Sequence, residues 1–93
     1  MEIKIYATLR DVVGGPSVHV DDAPATTIGQ ILQALCARYP ELRPRLFDDQ
    51  DELNRAIHIL INGRDARYLN GLESAVSAED IVRIFPPVGG GAA

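Results

Sequence analysis

Residues 27–40 constrain the fold more than any other part of the chain. Thr27-Ile28-Gly29-Gln30 has the spacing of a capping box, in which a threonine hydroxyl and a glutamine amide satisfy the donors a helix start leaves open. After it Ile28, Ile31, Leu32, Leu35, Cys36 and Tyr39 recur at helical intervals and form one apolar stripe. Pro40 disfavours helical geometry at Tyr39 and marks the end. The stripe needs a partner layer, and strands on both sides of the helix are positioned to supply it.

Residues 3–9 alternate as a half-buried strand does, with Ile3, Ile5, Ala7 and Leu9 inward and Lys4, Tyr6 and Thr8 outward. Gly14-Gly15-Pro16 is turn chemistry, and residues 17–20 read as a second strand forming a hairpin with the first. Leu42, Leu46 and Phe47 fit a short helical turn, followed by an exposed acidic loop at 48–52. Residues 57–61 are strongly apolar and end at Asn62-Gly63, whose tolerance of positive φ makes it the strongest short hairpin signal. A weaker strand is expected over 65–68, a turn at Gly71-Leu72 and a last strand over 80–85. One main helix crossing a mixed sheet of four to five strands predicts an α+β fold of β-grasp architecture. Residues 1–88 are expected to form the domain and residues 89–93 a flexible glycine-rich tail.

With 93 residues there is one domain at most, burying only ~60–65% of its unfolded surface. Hydrophobic residues at 46% and charged residues at 24% are ordinary globular values and exclude wholesale disorder. No apolar run approaches the ~20 residues that cross a bilayer, and Met1-Glu2-Ile3-Lys4 carries charges where a signal peptide needs apolar residues. A cytoplasmic protein without a membrane partner is expected. The net charge of -4, with no basic cluster, argues against nucleic acid as a partner. The single cysteine, Cys36, can form no internal disulfide and lies on the apolar stripe, as a small core side chain does. His19 and His58 lack companions at ligand spacing, so no metal site is expected. No grouping of serine, histidine and carboxylate points to catalysis, and no enzyme is read here.

The ending is the most informative stretch for function. Pro86 and Pro87 remove two backbone donors and fix φ, so the chain must leave the sheet extended. Gly89, Gly90 and Gly91 then remove every side chain. A stiff exit followed by a slender tip, spanning roughly 20 Å over six residues, suits a narrow channel on another protein. Just before it, strand alternation sends Tyr6, Arg83 and Phe85 to the face away from the helix, with Leu60 joining them. An aromatic and arginine cluster on an open sheet face suits a partner interface.

At this point the sequence resembles the MoaD/ThiS sulfur carriers, ubiquitin-like proteins, over nearly its whole length. Ile3-Lys4-Ile5-Tyr6-Ala7-Thr8-Leu9-Arg10-Asp11 looks like the family's opening strand. Thr27-Ile28-Gly29, Leu35 and Arg38-Tyr39-Pro40 look like its helix, and Ile61-Asn62-Gly63-Arg64-Asp65 like its central hairpin. Most specific is Ile84-Phe85-Pro86-Pro87-Val88-Gly89-Gly90-Gly91, similar to the family ending of Phe-Pro-Pro-Val, one small residue and a Gly-Gly pair. The resemblance implies that a ubiquitin-activating-like enzyme of the MoeB/ThiF type uses ATP to adenylate the Gly91 carboxylate. Sulfur from a persulfide then displaces AMP and leaves a thiocarboxylate. Gly90, Gly89, Val88, Pro87 and Pro86 would be the stretch that the partner recognises. No bound cofactor is implied.

Two departures stand out. The family often places Asp-Gly-Asp-Glu before the last strand, whereas Ala78-Glu79-Asp80-Ile81 lacks the turn glycine. Ala92 and Ala93 follow Gly91 and lock its carboxyl in a peptide bond. Some relatives carry such extensions, which a JAMM-type metal-dependent peptidase removes, and the same maturation is expected here. The resemblance leaves the sulfur-accepting synthase open. The tail is similar to the small subunit of molybdopterin synthase, and Arg67 to Ser74 is closer to carriers of the CysO type that serve cysteine synthesis. An alternative is a modifier like the archaeal ubiquitin-like proteins, joined through Gly91 to lysines of target proteins.

Overall fold

The capping box forms as its spacing predicts. The backbone N–H of Gln30 donates to Thr27 Oγ1 at 3.2 Å, and that of Thr27 donates to Gln30 Oε1 at 3.0 Å. The helix it opens, α2 (Ile28–Arg38), buries Ile28, Ile31, Leu32, Leu35 and Cys36 and ends at Tyr39, ahead of Pro40. This computed structural model describes residues 1–20 and 26–87. Val88, Gly89, Gly90, Gly91, Ala92 and Ala93, and with them the expected domain boundary, lie outside the described residues.

Five strands form the main sheet: β1 (Glu2–Ile5), β2 (Ser17–His19), β4 (His58–Ile61), β5 (Arg64–Asp65) and β7 (Val82–Phe85). Their order is β2-β1-β7-β4-β5. β1 runs parallel to β7, and the other neighbours are antiparallel, so the sheet is mixed. The last strand is therefore the central one. Ile3, Ile5, Ile59, Ile61, Val82 and Ile84 are buried in one core with the apolar stripe of α2, while Lys4, Leu60, Arg83 and Phe85 alternate to the other face. The 41–56 segment serves the core side too, as Leu42, Leu46 and Phe47 are buried there and α3 (Arg43–Leu46) supplies the short helix expected.

Two expectations need correction. The first strand stops at Ile5 rather than Leu9, and Ala7 is exposed with φ 53°, which no strand tolerates. A short helix, α1 (Leu9–Val13), follows and buries Leu9 from a helical position before ending at Gly14, whose φ is 83°. The weak strand expected over 65–68 is only β5, because Ala66–Tyr68 turn into a 3-10 helix. A second, two-stranded sheet of β3 (Thr26–Thr27) and β6 (Ala75–Val76) ties the start of α2 to the segment before β7. Asn62 and Gly63 take φ of 53° and 88°, the positive values a type I′ hairpin turn requires.

Candidate functional site at the end of the central strand

Strand register assembles the site. Lys4 and Ile5 of β1 stand opposite Arg83 and Ile84 of β7, so Tyr6, one residue past β1, comes beside Phe85. Their rings stack with centroids 4.1 Å apart and an interplanar angle of 17°. Such pairs stabilise by about 0.5–1.5 kcal/mol beyond area burial. Arg83 donates through Nε to Tyr6 Oη at 3.2 Å, and Leu60 stands opposite Arg83 on β4. The structure thus brings together Tyr6, Leu60, Arg83 and Phe85, each half-buried on the open face.

Arg10 completes the cluster, and strand reasoning missed it. Its Nε donates to the Ile5 carbonyl at 2.8 Å, and its guanidinium lies 5.3 Å from the centre of the Tyr6 ring. The result is a column of guanidinium, phenol and phenyl, with charge at one end and apolar surface at the other. The signal for Arg10 is its place four residues after Tyr6, hidden by the strand-like alternation of residues 3–9. At the other end of the column the chain leaves β7. Pro86 is buried and Pro87 exposed, so the exit is fixed by packing before it reaches the residues outside the description.

The remaining candidates divide plainly. Cys36 is 4% exposed, and burial pushes its thiol up against a smaller opposing effect of the Arg43 charge, which leaves it a protonated core side chain. His58 Nδ1 lies 3.1 Å from Asp65 Oδ2, and Asp65 Oδ1 accepts from the Arg67 backbone N–H at 2.9 Å. Burial acts to raise the Asp65 pKa, but the Arg67 N–H, the His58 hydrogen bond and the charges of both residues outweigh it and hold the carboxyl below its ordinary value. The pairing is hidden in the sequence because Asp65 lies seven residues from His58 and is returned to it only by the Asn62-Gly63 hairpin. Among the described residues no group of three or more His, Cys, Asp or Glu is placed to hold a metal, and no helix is long and apolar enough to cross a membrane.

A five-stranded mixed sheet crossed by one helix, with the last strand central and the chain end issuing from it, defines a ubiquitin-like β-grasp protein. Comparison narrows this class: residues 3–91 match the ThiS family model, and the chain belongs to that family. Small archaeal modifier protein 3 of Haloferax volcanii is 40% identical over 93 residues, covering 98% of each chain. The sulfur carrier protein CysO of Mycobacterium tuberculosis is 33% identical over 91 residues, covering 96% of each. The crystal structure of small archaeal modifier protein 1 from Haloferax volcanii superposes with a TM-score of 0.84 at 39% identity, over 95% of this chain and 94% of that one.

Proposed function

We propose that this chain is a carrier whose Gly91 carboxyl, freed by hydrolysis of the Gly91–Ala92 bond, is adenylated and converted to a thiocarboxylate that donates sulfur in biosynthesis. One observation carries the reading: the family match runs through Gly91 and stops there, leaving Ala92 and Ala93 outside it. A free carboxylate is a poor electrophile, while its mixed anhydride with AMP has a good leaving group. The thiocarboxylate that follows is a tethered nucleophilic sulfur. The activating enzyme, of the MoeB/ThiF type, docks on Tyr6, Leu60, Arg83 and Phe85 and draws in Pro86 to Gly91, with ATP as its own substrate. A JAMM-type peptidase exposes Gly91, and a synthase of cysteine, molybdopterin or another sulfur metabolite takes the sulfur.

A second reading has a specific observation in its favour: the 40% identity to a protein named as a modifier. In it the activated Gly91 is joined to amines of other proteins. Both readings share the activation step, and the fate of the carboxyl separates them.

The test uses two forms of the protein, one ending at Gly91 and one continuing through Ala93, each mixed with the cognate adenylating enzyme and ATP. Pyrophosphate release from the Gly91 form alone is expected, and equal release from both would overturn the maturation step. Intact mass from the native cells then assigns the role. A Gly91 terminus with one oxygen replaced by sulfur supports the carrier, and higher-mass conjugates that resist thiol reagents support the modifier.

A further inference from the structure

Asn62 precedes Gly63 at the tip of the β4–β5 hairpin, and both residues are exposed. A side-chain amide followed by glycine is the pairing in which the next main-chain nitrogen most readily reaches the side-chain carbonyl carbon, because glycine puts no side chain in the way. A Cβ on Gly63 would meet nothing within 4 Å, so solvent reaches this peptide unit freely. The Asn62 amide is nonetheless held at both of its polar atoms. Nδ2 donates to Asp80 Oδ1 at 2.9 Å, and Oδ1 accepts from the Ile81 N–H at 2.9 Å. The Asn62 main-chain N–H donates to the Ile81 carbonyl at 2.9 Å, which fixes the other end of the side chain. Asp80 is itself anchored: its Oδ2 accepts from the Ser77 N–H at 2.8 Å, and its own N–H donates to the Ser77 carbonyl at 3.0 Å.

We infer that Asn62 is a latent site of spontaneous deamidation, which Asp80 and the Ile81 N–H hold in an unreactive rotamer while the chain is folded, and that conversion turns the same contact into a repulsion. In the reaction a solvent hydroxide takes the proton of the Gly63 N–H, and the nitrogen attacks Asn62 Cγ. A C–N bond forms there, and the bond from Cγ to Nδ2 breaks, Nδ2 leaving as ammonia with a proton from water. Water then opens the five-membered imide at either of its carbonyls, giving aspartate or isoaspartate at position 62. To meet the Gly63 nitrogen, Cγ must rotate away from residues 80 and 81, which breaks both side-chain hydrogen bonds. The bond to the Asp80 carboxylate alone is worth about tenfold or more in that equilibrium. After conversion the donor facing Asp80 is replaced by a second carboxylate, and two carboxylates at hydrogen-bonding distance do not both ionise without cost. Isoaspartate also adds a carbon to the main chain of a two-residue turn, whose geometry leaves no room for it. β7 starts at Val82, next to Ile81, so the disturbance reaches the strand that carries Arg83 and Phe85.

The experiment incubates the full chain in mildly alkaline buffer, well below its melting temperature, beside a peptide of residues 58–66 and the variants Asp80→Ala, Asp80→Asn and Ile59→Val. Peptide mapping with mass spectrometry follows conversion at position 62. The parent is expected to convert about tenfold or more slowly than the peptide, and Asp80→Ala about tenfold faster than the parent. Asp80→Asn keeps an acceptor without the charge and is expected between the two; should Asp80→Ala fail to fold, Asp80→Asn decides. Ile59→Val lowers stability through the core and is expected to keep the parent's rate. Conversion of the parent at the peptide's rate overturns the inference. So do Asp80 variants that convert no faster than the parent, or no faster than Ile59→Val. Asn62→Asp supplies the product directly and is expected to melt below the parent at neutral pH, the difference narrowing as acid protonates the facing carboxylates. Equal melting temperatures overturn the repulsion.

Discussion

Phe85 belongs to two surfaces at once: its backbone completes the central strand, and its ring lies in the aromatic column on the open face. Replacing it separates folding from docking. Phe85→Asp removes the stacking on Tyr6, at a cost of about 0.5–1.5 kcal/mol, while Val82 and Ile84 keep their buried places in the core. The variant is expected to unfold cooperatively a few degrees below the parent and to bind the activating enzyme about tenfold or more weakly. Calorimetric titration and a thermal melt read the two effects, and unchanged affinity would remove this face from the docking surface. Strand alternation alone placed Tyr6, Leu60, Arg83 and Phe85 on one side, because period two is unambiguous where the opposite side is so apolar. It could not give the Arg83–Tyr6 hydrogen bond or the arginine over the ring, since these depend on register between strands far apart in sequence.

Elements were legible in proportion to how many residues repeat their pattern. The eleven-residue α2 carries three turns of stripe and a complete capping box, and it is found where it was expected. The five-residue α1 is too short to establish a period, and its buried Leu9 falls by chance on the alternation that Ile3 and Ile5 begin. β3 and β6, two residues each, leave no pattern to read. The missing turn glycine before β7 has a physical answer: Ser77, Ala78, Glu79 and Asp80 all keep negative φ, so the turn needs no glycine. Gly29 is the reverse case. A Cβ there would stand 3.2 Å from the Leu72 carbonyl oxygen, in the turn that packs over the start of α2. Alanine favours a helix over glycine by about 1 kcal/mol. The Leu72 carbonyl is main chain, held between the Glu73–Asn70 and Ser74–Gly71 hydrogen bonds, and does not give way as a side chain would. Gly29→Ala is therefore expected to lower the melting temperature. A rise would show that the 71–73 turn moves freely and that helix propensity decides. At the hairpin, Gly63→Ala forces φ of 88° on an alanine, and a loss of about 1–2 kcal/mol in urea unfolding is expected. A smaller loss would mean that the turn adopts another type.

For the whole molecule, the central strand is held in place by a carboxylate as well as by the core, and this makes stability depend on acid. Asp80 accepts from Asn62 Nδ2 at 2.9 Å through one oxygen and from the Ser77 N–H at 2.8 Å through the other, and Asn62 Oδ1 accepts from the Ile81 N–H at 2.9 Å. The hairpin turn between β4 and β5 is thereby tied to the entry of β7. The Asn62 hydrogen bond first, and the Ser77 N–H after it, hold the Asp80 carboxyl below its ordinary pKa against a small opposing effect of burial. A carboxyl lowered on folding adds stability that is complete above its unfolded pKa, about 3.9, and disappears as pH falls through the lower folded value. Asp80→Asn keeps one acceptor oxygen but has no charge to lose. The variant is expected to melt below the parent at about pH 7, with the gap closing as the pH is taken to about 3 and below, where the parent's own carboxyl is protonated. Melting curves at intervals across that range measure the gap. A gap of constant size would place the contribution of Asp80 in the geometry of its hydrogen bonds rather than in its charge, and the central strand would then owe its position to packing and neutral contacts alone.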